Sequence, residues 1–144
     1  MFVHQILSSK PSDVVLTIAE DATIAQAAAI LSERRIGCLV VSGTGTRADG
    51  ILSERDIVRE VGRRGSACLS EAVSTIMTRK ITTCTRAESS EQVLEIMTNG
   101  RFRHIPVVEH GELIGLISIG DVVKARIAEL AMEKSAMQDM IMGH

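Results

Sequence analysis

The chain has 144 residues, 45% of them hydrophobic, so it has the size of one ordinary domain or of two small halves that share a core. Its net charge of −2 and its 1% aromatic content argue against a nucleic-acid-binding protein, which needs a basic surface and often aromatic stacking platforms. The three cysteines form no Cys-x-x-Cys pair, and neither a leader pattern nor an apolar run of about 20 residues is seen. A cytoplasmic protein with reduced thiols and no membrane association is therefore expected.

The first half of the chain predicts three strands and two main helices. Residues 2–7 carry apolar side chains for one or two helical turns, and turn chemistry follows at 10–13. A helix is predicted to begin at Thr23, which can form a capping box with Gln26. Its last turn is basic and is followed by glycine, as at many helix ends. The remaining predicted elements are strands at 14–18, 38–41 and 50–53, a helix at 54–61 and a glycine-rich connector at 62–66.

The second half predicts the same order of elements. A short helical segment at 73–77 comes first, and Ser89 with Gln92 makes a second capping box, 66 residues after the first. That helix is expected to stop at Asn99–Gly100. The last helix is predicted to begin at Gly120 or Asp121 and to run as far as Met142. The remaining predicted elements are strands at 81–84, 105–108 and 113–118, the last two joined by a tight turn at 110–111.

One motif occurs in both halves: a glycine, a short apolar run and Ser-x-x-Asp, at 50–56 and again 65 residues later at 115–121. Together with the equivalent capping boxes, it indicates an internal repeat. We predict an α/β fold of two βαββα units, dividing the chain at 1–67 and 68–144. A single unit would leave one face of its three-stranded sheet bare, so we expect the two to pack face to face about a pseudo-two-fold axis, with clefts between them.

The two repeats resemble the cystathionine β-synthase (CBS) domain, and the whole chain resembles a free-standing pair of such domains. The resemblance rests on residues 50–56, 100–108 and 115–121 and covers nearly all of 3–128. It implies a compact module whose central clefts bind adenine nucleotides: AMP, ADP or ATP, with NAD(H) or S-adenosylmethionine as alternatives. It also implies a regulatory protein rather than an enzyme, forming a flat homodimer and modulating an unidentified partner protein.

The resemblance further implies roles for individual residues. Asp56 and Asp121 would accept hydrogen bonds from ribose hydroxyls, and Ser53 and Ser118 would lie beside a phosphate at a helix N-terminus, where amides are free. Arg103 and His104 would reach the phosphates, and His104 can change charge near neutral pH; the alternative is a solvent-facing arginine and a strand-edge histidine. The expected ligand-binding residues are Thr17, Gly37, Cys38, Ser53, Arg55, Asp56, Thr83, Arg101, Phe102, Arg103, His104, Ile105, Pro106, Ser118, Gly120 and Asp121.

Structural roles explain many of these residues as well. Ser-x-x-Asp is a capping-box-like sequence that stabilises any helix by about 0.5–2 kcal/mol, although one serine can both cap a helix and line a pocket. Thr17 and Thr83 are ordinary strand residues, and Cys38 on an apolar strand is ordinary core. The alternative hypothesis is therefore a constitutive interaction or scaffold protein whose clefts bind nothing.

The two clefts are expected to differ. Gly37–Cys38 stands where the second repeat has Arg103–His104, and Val40 takes the place of Pro106. One cleft is therefore expected to take a different ligand or to stay empty, and the basic residues of the second repeat favour a ligand with phosphates.

Catalysis and metal binding have no support in the sequence. The spacing of His, Cys and carboxylate residues matches no metal site, and neither a nucleophile motif nor a glycine-rich phosphate loop is found. An enzyme that uses Asp56 or Asp121 as a base is disfavoured because no neighbour in sequence would raise the pKa of either carboxylate. The last helix carries several methionines, which suit adaptable contacts, so it is interpreted as a dimer or partner surface, with terminal fraying as the alternative.

Overall fold

The computed structural model describes residues 1–10 and 15–143. The predicted turn at 11–13 and the predicted strand position at 14 lie outside the described residues. Within the described part the order of elements follows the prediction closely. The elements are α1 (Val3–Ser9), β1 (Thr17–Ile18), α2 (Ile24–Arg34), β2 (Cys38–Val41), β3 (Gly50–Ser53), α3 (Glu54–Arg64), α4 (Ser90–Gly100), β4 (His104–Glu109), β5 (Glu112–Ser118) and α5 (Ile119–Met142).

The first sheet has the order β1-β2-β3. β1 runs parallel to β2, with Thr17 opposite Val40, and β2 runs antiparallel to β3, with Cys38 opposite Ser53. All four residues of β2 are buried, as its wholly apolar sequence predicts for a strand covered on both faces. Thr23 accepts a hydrogen bond from the Gln26 amide at 3.1 Å, so the predicted cap of α2 is confirmed.

The second sheet is the antiparallel pair β4-β5, joined by a two-residue turn. His110 and Gly111 both have positive φ, 51° and 79°, which matches the right-handed twist of a tight hairpin. The predicted strand at 81–84 is wrong: it is reduced to a single parallel bridge between Cys84 and Val107. The reason is Pro106, which accepts from the Cys84 amide at 3.0 Å but has no N–H with which to continue the ladder toward residue 82.

The connector between the halves is more helical than predicted. α3 does not stop at residue 61 but runs through Gly62 to Arg64, and it ends where Gly65 adopts φ 77°. Ion pairs from Arg63 and Arg64 to Glu60 support this additional turn. Short 3₁₀ helices follow at Ser66–Ser70 and Val73–Thr75, the second of which replaces the helical segment predicted at 73–77.

The two hydrophobic cores do not follow the two halves of the chain. Val3 and Ile6 of α1 pack in the second core, among α4, β4, β5 and α5. In exchange, Val73 and Met77 pack in the first core, against α2, β2 and β3. Packing therefore crosses the predicted boundary at 67, because the segment that leads into each repeat completes the core of the other.

The glycine that opens each repeated motif makes room for these crossing segments. A Cβ on Gly50 would lie 2.9 Å from the carbonyl oxygen of Thr78, and a Cβ on Gly115 would lie 2.6 Å from a methyl carbon of Leu7. Thr78 reaches this position because it exchanges two backbone hydrogen bonds with Ile51, each 2.9 Å long. The motif glycine thus has a packing role that is separate from any ligand.

Candidate functional site

Both Ser-x-x-Asp motifs form complete capping boxes. Ser53 Oγ accepts from the Asp56 amide at 3.2 Å, and Asp56 Oδ2 accepts from the Ser53 amide at 2.9 Å. In the second repeat, Ser118 and Asp121 make the same two hydrogen bonds at 3.1 and 2.9 Å. The capping interpretation is therefore confirmed, and it fixes each carboxylate at the first turn of α3 or α5.

The same carboxylates line two clefts between the repeats, which we call the Asp56 cleft and the Asp121 cleft. Their volumes are about 550 Å³ and 370 Å³. The Asp56 cleft combines the motif of the first repeat with Ile81 and Thr82, which lead into the second repeat. The Asp121 cleft combines the motif of the second repeat with Val15 and Leu16 of the first. Each cleft is therefore built by both repeats.

Most of the predicted site residues meet at these clefts. Gly37, Cys38, His104 and Ser118 lie where the clefts adjoin and line both of them. Asp121 lines only its own cleft. The other predicted residues that line the Asp56 cleft are Ser53, Arg55, Asp56, Arg101, Phe102, Arg103 and Pro106.

Four predicted residues are not in the lining of either cleft. Thr17 pairs with Val40 inside the first sheet, and Thr83 is exposed beside the cleft segment 81–82. Ile105 is fully buried in the second core. Gly120 is the second residue of α5, so any contribution to a ligand would come from its backbone amide.

Several lining residues were missed by sequence reasoning. Arg35 is the repeat equivalent of Arg101, so the 66-residue offset could have identified it. Arg59 is three residues after Asp56 on α3, so helical spacing could have placed it beside that carboxylate. Lys10 and Lys80 had no such signal, because they enter the clefts only through segments that cross between the repeats.

The Asp56 cleft is rich in cationic side chains. Five arginine or lysine residues line it, against the carboxylates of Glu54 and Asp56. Arg59 forms an ion pair with Asp56 at 2.7 Å. A concave surface with an excess of positive charge attracts anionic ligands. The five cationic residues are Arg55, Arg59, Lys80, Arg101 and Arg103.

In the Asp121 cleft the carboxylate forms an ion pair with a lysine. Lys10 Nζ donates to Asp121 Oδ2 at 2.9 Å and to the carbonyl oxygen of Leu116 at 2.8 Å. Burial raises the pKa of Asp121, but hydrogen bonds from the Ser118 amide and from Lys10 outweigh this effect and hold the pKa below its ordinary value. Asp121 is therefore an ionised, paired carboxylate at neutral pH.

The helix N-termini offer fewer free amides than the sequence suggested. The first amides of α3 and α5, those of Glu54 and Ile119, donate to the carbonyl oxygens of Gly37 and Arg103 at 2.9 and 2.7 Å. The third amides are bound by the capping serines. In each helix only the second amide, that of Arg55 or Gly120, remains for a ligand.

His104 lies between the two clefts and lines both of them. Its ring lies against Gly37, where a Cβ would be 3.5 Å from the imidazole Cε1. Burial lowers the pKa of His104, and Lys10 adds to this effect, while Asp121 and Glu54 oppose it. The imidazole is therefore neutral at pH 7 and can serve there as both a donor and an acceptor.

Neither Cys38, which lines both clefts, nor Cys84, which lies in the second core, is a nucleophile. Burial, together with the nearby charge of Asp56, raises the pKa of Cys38 to about 12. Burial, with the charges of Glu88 and Glu109, raises the pKa of Cys84 to about 12 as well. Both thiols stay protonated at neutral pH, as the interpretation of Cys38 as core predicts.

Two cleft arginines hold a strained backbone conformation. Arg35 and Arg101, which follow α2 and α4, have φ values of 54° and 57°. This left-handed conformation costs a non-glycine residue about 1–2 kcal/mol. Arg35 lines the Asp121 cleft and Arg101 lines the Asp56 cleft, so the same strained backbone conformation occurs at equivalent positions of the two clefts.

Two interlocked repeats with a capped carboxylate in each of two clefts define a tandem-repeat α/β module. The family model of the CBS domain matches residues 3–63 and 73–128. The chain therefore belongs to the CBS-domain family, as its resemblance predicted.

Relatives support this assignment along most of the chain. The mitochondrial CBS domain-containing protein CBSX3 of Arabidopsis thaliana is 35% identical over 127 residues, which cover 85% of this chain and 62% of that protein. A CBS-domain containing protein from Agrobacterium tumefaciens, solved by crystallography, is 44% identical with a TM-score of 0.83, covering 88% of this chain and 99% of that one. A CBS domain protein from Pyrobaculum aerophilum complexed with AMP is 30% identical with a TM-score of 0.76, covering 92% of this chain and 99% of that one.

Two further findings concern the described residues alone. In residues 1–10 and 15–143, no group of three or more His, Cys, Asp or Glu side chains is arranged to hold a metal ion. Over the same part of the chain, no helix combines the length and the apolar character needed to cross a membrane.

Proposed function

We propose that this protein is a cytoplasmic regulatory module that binds an adenine nucleotide between its CBS repeats and thereby changes the activity of a partner protein. The observation that carries the proposal is the Asp56 cleft, where an acceptor carboxylate, the open Arg55 amide and five cationic side chains surround about 550 Å³. This volume lies within the range of small-molecule sites. The AMP complex of the relative from Pyrobaculum aerophilum supports the choice of ligand class.

The lining of the Asp56 cleft suits each part of a nucleotide. Asp56 can accept from ribose hydroxyls, while Arg101, Arg103 and Lys80 supply charge for phosphates. The apolar side chains of Ile51, Ile81 and Pro106 offer a surface for adenine. We favour AMP, ADP or ATP over NAD(H) and over S-adenosylmethionine, which carries a positive sulfonium. We propose no direct ligand contact for Thr17, Thr83 and Ile105.

Regulation follows from the shared construction of the clefts. Because both repeats contribute to each cleft, a bound nucleotide favours the inter-repeat arrangement that fits it. The population shift is limited by the difference in affinity between the two arrangements. His104 lines both clefts, so its imidazole can contact a ligand in either one. We propose that a homodimer transmits this shift to the partner without catalysing a reaction.

Calorimetry with AMP, ADP, ATP, NAD⁺ and S-adenosylmethionine tests this function, with Asp56→Asn as the site variant. The asparagine side chain would keep one acceptor for the Ser53 amide but would replace the second oxygen, the acceptor for a ribose hydroxyl, with an NH2 group, so we expect nucleotide affinity to fall at least tenfold. Gln26→Ala is the control, because it disrupts a capping box whose residues line neither cleft.

Three outcomes separate the hypotheses. Tight binding of one nucleotide that is lost in Asp56→Asn and kept in Gln26→Ala supports the sensor. The absence of binding by any member of the panel, to protein shown to be folded and ligand-free, would favour the scaffold alternative. Chromatographic detection of a product from a bound nucleotide would favour an enzyme.

A further inference from the structure

The last residue of α4, Gly100, is not explained by its backbone conformation. It lies within the helix, and the left-handed conformation that ends α4 falls on the next residue, Arg101, with φ 57°. Helices commonly place glycine at the left-handed position, where other residues are strained. Here the glycine stands one residue earlier, inside the helix, where it is less favourable than alanine. A contact, rather than backbone freedom, must therefore account for Gly100.

The contact is with the ring of Phe102. A Cβ on Gly100 would lie 1.9 Å from the ring atom Cε1 of Phe102 and 2.6 Å from both Cδ1 and Cζ. Carbon atoms in van der Waals contact are about 3.5–4.0 Å apart. Residue 100 can therefore carry a side chain only if the Phe102 ring moves.

The end of α4 directs the ring to this position. The Phe102 amide donates to the carbonyl oxygen of Met97 at 3.3 Å, a hydrogen bond that closes many helix C-termini. Such an ending is commonly accompanied by apolar contact between the same two residues, and Phe102 packs against the second core, which includes Met97. Phe102 also lines the Asp56 cleft, so the ring lies between a fixed helix end and that cleft.

The first repeat has the same helix ending with different side chains. The Ile36 amide donates to the carbonyl oxygen of Leu31 at 3.1 Å, as its counterpart does at the end of α4. Ile36 lines the Asp121 cleft, just as Phe102 lines the Asp56 cleft. The residue equivalent to Gly100 is Arg34, which has a long side chain. Glycine therefore stands at this position only in the repeat that has an aromatic ring two residues later.

We propose that Gly100 is a positioning residue, which holds the Phe102 ring as the part of the Asp56 cleft that contacts the base of a nucleotide. An aromatic ring is a favourable partner for a base, since the two flat surfaces can stack. A side chain at residue 100 would displace the ring, and the closely packed second core leaves the cleft as the open direction. The ring would then take up space needed by the base. The base contact rests on the proposed function, whereas the contact between Gly100 and the ring does not.

A double-mutant cycle on the full chain tests the pair. Its variants are Gly100→Ala, Phe102→Ile and the two combined, where isoleucine copies the residue of the first repeat. Calorimetry with AMP measures binding, and urea unfolding measures stability. We expect Gly100→Ala alone to weaken AMP binding severalfold and to lower the urea midpoint. In the Phe102→Ile background the same alanine should leave AMP binding unchanged and should not lower the midpoint, because no ring remains to be displaced.

Gly62→Ala is the matched control for the alanine substitution. Gly62 is also an exposed glycine within a helix, α3, and it lines neither cleft. No atom of the described residues lies within 4 Å of a Cβ built on it. We therefore expect Gly62→Ala to keep the wild-type affinity for AMP and to raise the urea midpoint slightly.

A comparison of AMP with CMP distinguishes a contact with the base from a purely structural role. Adenine presents a larger flat surface than cytosine, so stacking on the Phe102 ring favours AMP. We expect Phe102→Ile to weaken AMP binding and to reduce the preference for AMP over CMP severalfold. An unchanged preference would overturn the base contact, because loss of stability alone affects both ligands equally.

The positioning role is overturned if Gly100→Ala binds AMP as the wild type does, or if alanine costs the same affinity with and without the ring. If Gly100→Ala does not fold, a folded double variant supports the ring contact, and an unfolded double variant overturns it. A wild type that binds no member of the nucleotide panel counts against the proposed function, and the base contact falls with it. The urea cycle still decides the ring contact in that case: a loss confined to the chain with Phe102 supports it, and an equal loss in both backgrounds overturns it.

Discussion

Lys10 and Asp121 form a 2.9 Å ion pair that ties the end of α1 to the second Ser-x-x-Asp motif. The equivalent carboxylate of the first repeat, Asp56, is instead paired with Arg59 from its own helix at 2.7 Å. Arg59 is largely exposed and can turn toward a ligand, whereas Lys10 also binds the Leu116 carbonyl and is held in place. The two equivalent carboxylates thus differ in their cationic partner: Asp121 pairs with a fixed lysine and Asp56 with an exposed arginine.

We therefore expect the wild type to bind one nucleotide per chain, in the Asp56 cleft. Lys10→Met keeps much of the side-chain volume but removes the ion pair and the Nζ hydrogen bond to Asp121 Oδ2, so the stoichiometry in calorimetry is expected to rise toward two. The comparison variant is Lys80→Met, which removes a cation from the Asp56 cleft and should weaken the first site without adding a second. A stoichiometry of two in the wild type would contradict this prediction.

Replacement of Arg101, the strained residue after α4, is expected to change stability and nucleotide affinity in opposite directions. Replacing Arg101 by glycine removes a left-handed strain of about 1–2 kcal/mol, offset in part by the entropic cost of glycine, about 0.5–1 kcal/mol. We expect Arg101→Gly to gain about 0–1.5 kcal/mol in urea unfolding while its nucleotide affinity falls severalfold. Arg35→Gly is the control: it should gain similar stability and keep the affinity of the Asp56 cleft. Equal affinities for both variants would show that Arg101 does not contact the ligand.

The repeat itself could be predicted from the sequence because its signals are local. The capping boxes at Thr23 and Ser89 and the motif at Ser53 and Ser118 depend on residues three positions apart, and all four form as predicted. Such contacts are decided by backbone geometry within one helical turn, so no knowledge of the rest of the chain is needed.

The features that could not be predicted from the sequence depend on contacts between residues far apart along the chain. The exchange of α1 and Val73 between the cores depends on packing across the chain, and Lys10 enters the Asp121 cleft only through that exchange. The strand at 81–84 failed for a related reason, since Pro106, more than 20 residues away, interrupts its ladder. A pattern of β-branched residues does not reveal which partner strand lacks an amide.

The two motif glycines are expected to differ in their tolerance of alanine. At Gly50 the added Cβ meets a backbone carbonyl, that of Thr78, which is fixed by two hydrogen bonds. At Gly115 it meets the methyl groups of Leu7, a side chain that can rotate. We expect Gly50→Ala to lower the free energy of unfolding by about 1–3 kcal/mol and Gly115→Ala by clearly less. Urea unfolding of both variants provides the measurement, and a larger loss for Gly115→Ala would show that Leu7 is more rigid than the structure implies.

The buried imidazole of His104 predicts how stability depends on pH. Burial lowers the pKa of His104 below its ordinary value of 6.5, so the unfolded chain binds this proton more readily than the folded protein does. The stabilising contribution is therefore complete above pH 6.5 and is lost as the pH falls through the lower folded pKa. Asp121 does not obscure this window, because its pKa is lowered from an ordinary value of 3.8.

Urea unfolding at pH 7 and pH 5 measures the effect in wild type and in His104→Gln, which cannot take up the proton. We expect the wild type to lose more stability than His104→Gln between these two pH values. His4→Gln is the control, because it replaces an exposed histidine that lines neither cleft. If wild type and His104→Gln lose the same stability, the imidazole is not held neutral between the clefts.

A bound nucleotide should act in the opposite sense if its phosphates lie near His104, because they would raise the pKa of the imidazole and make binding tighter at pH 5 than at pH 7.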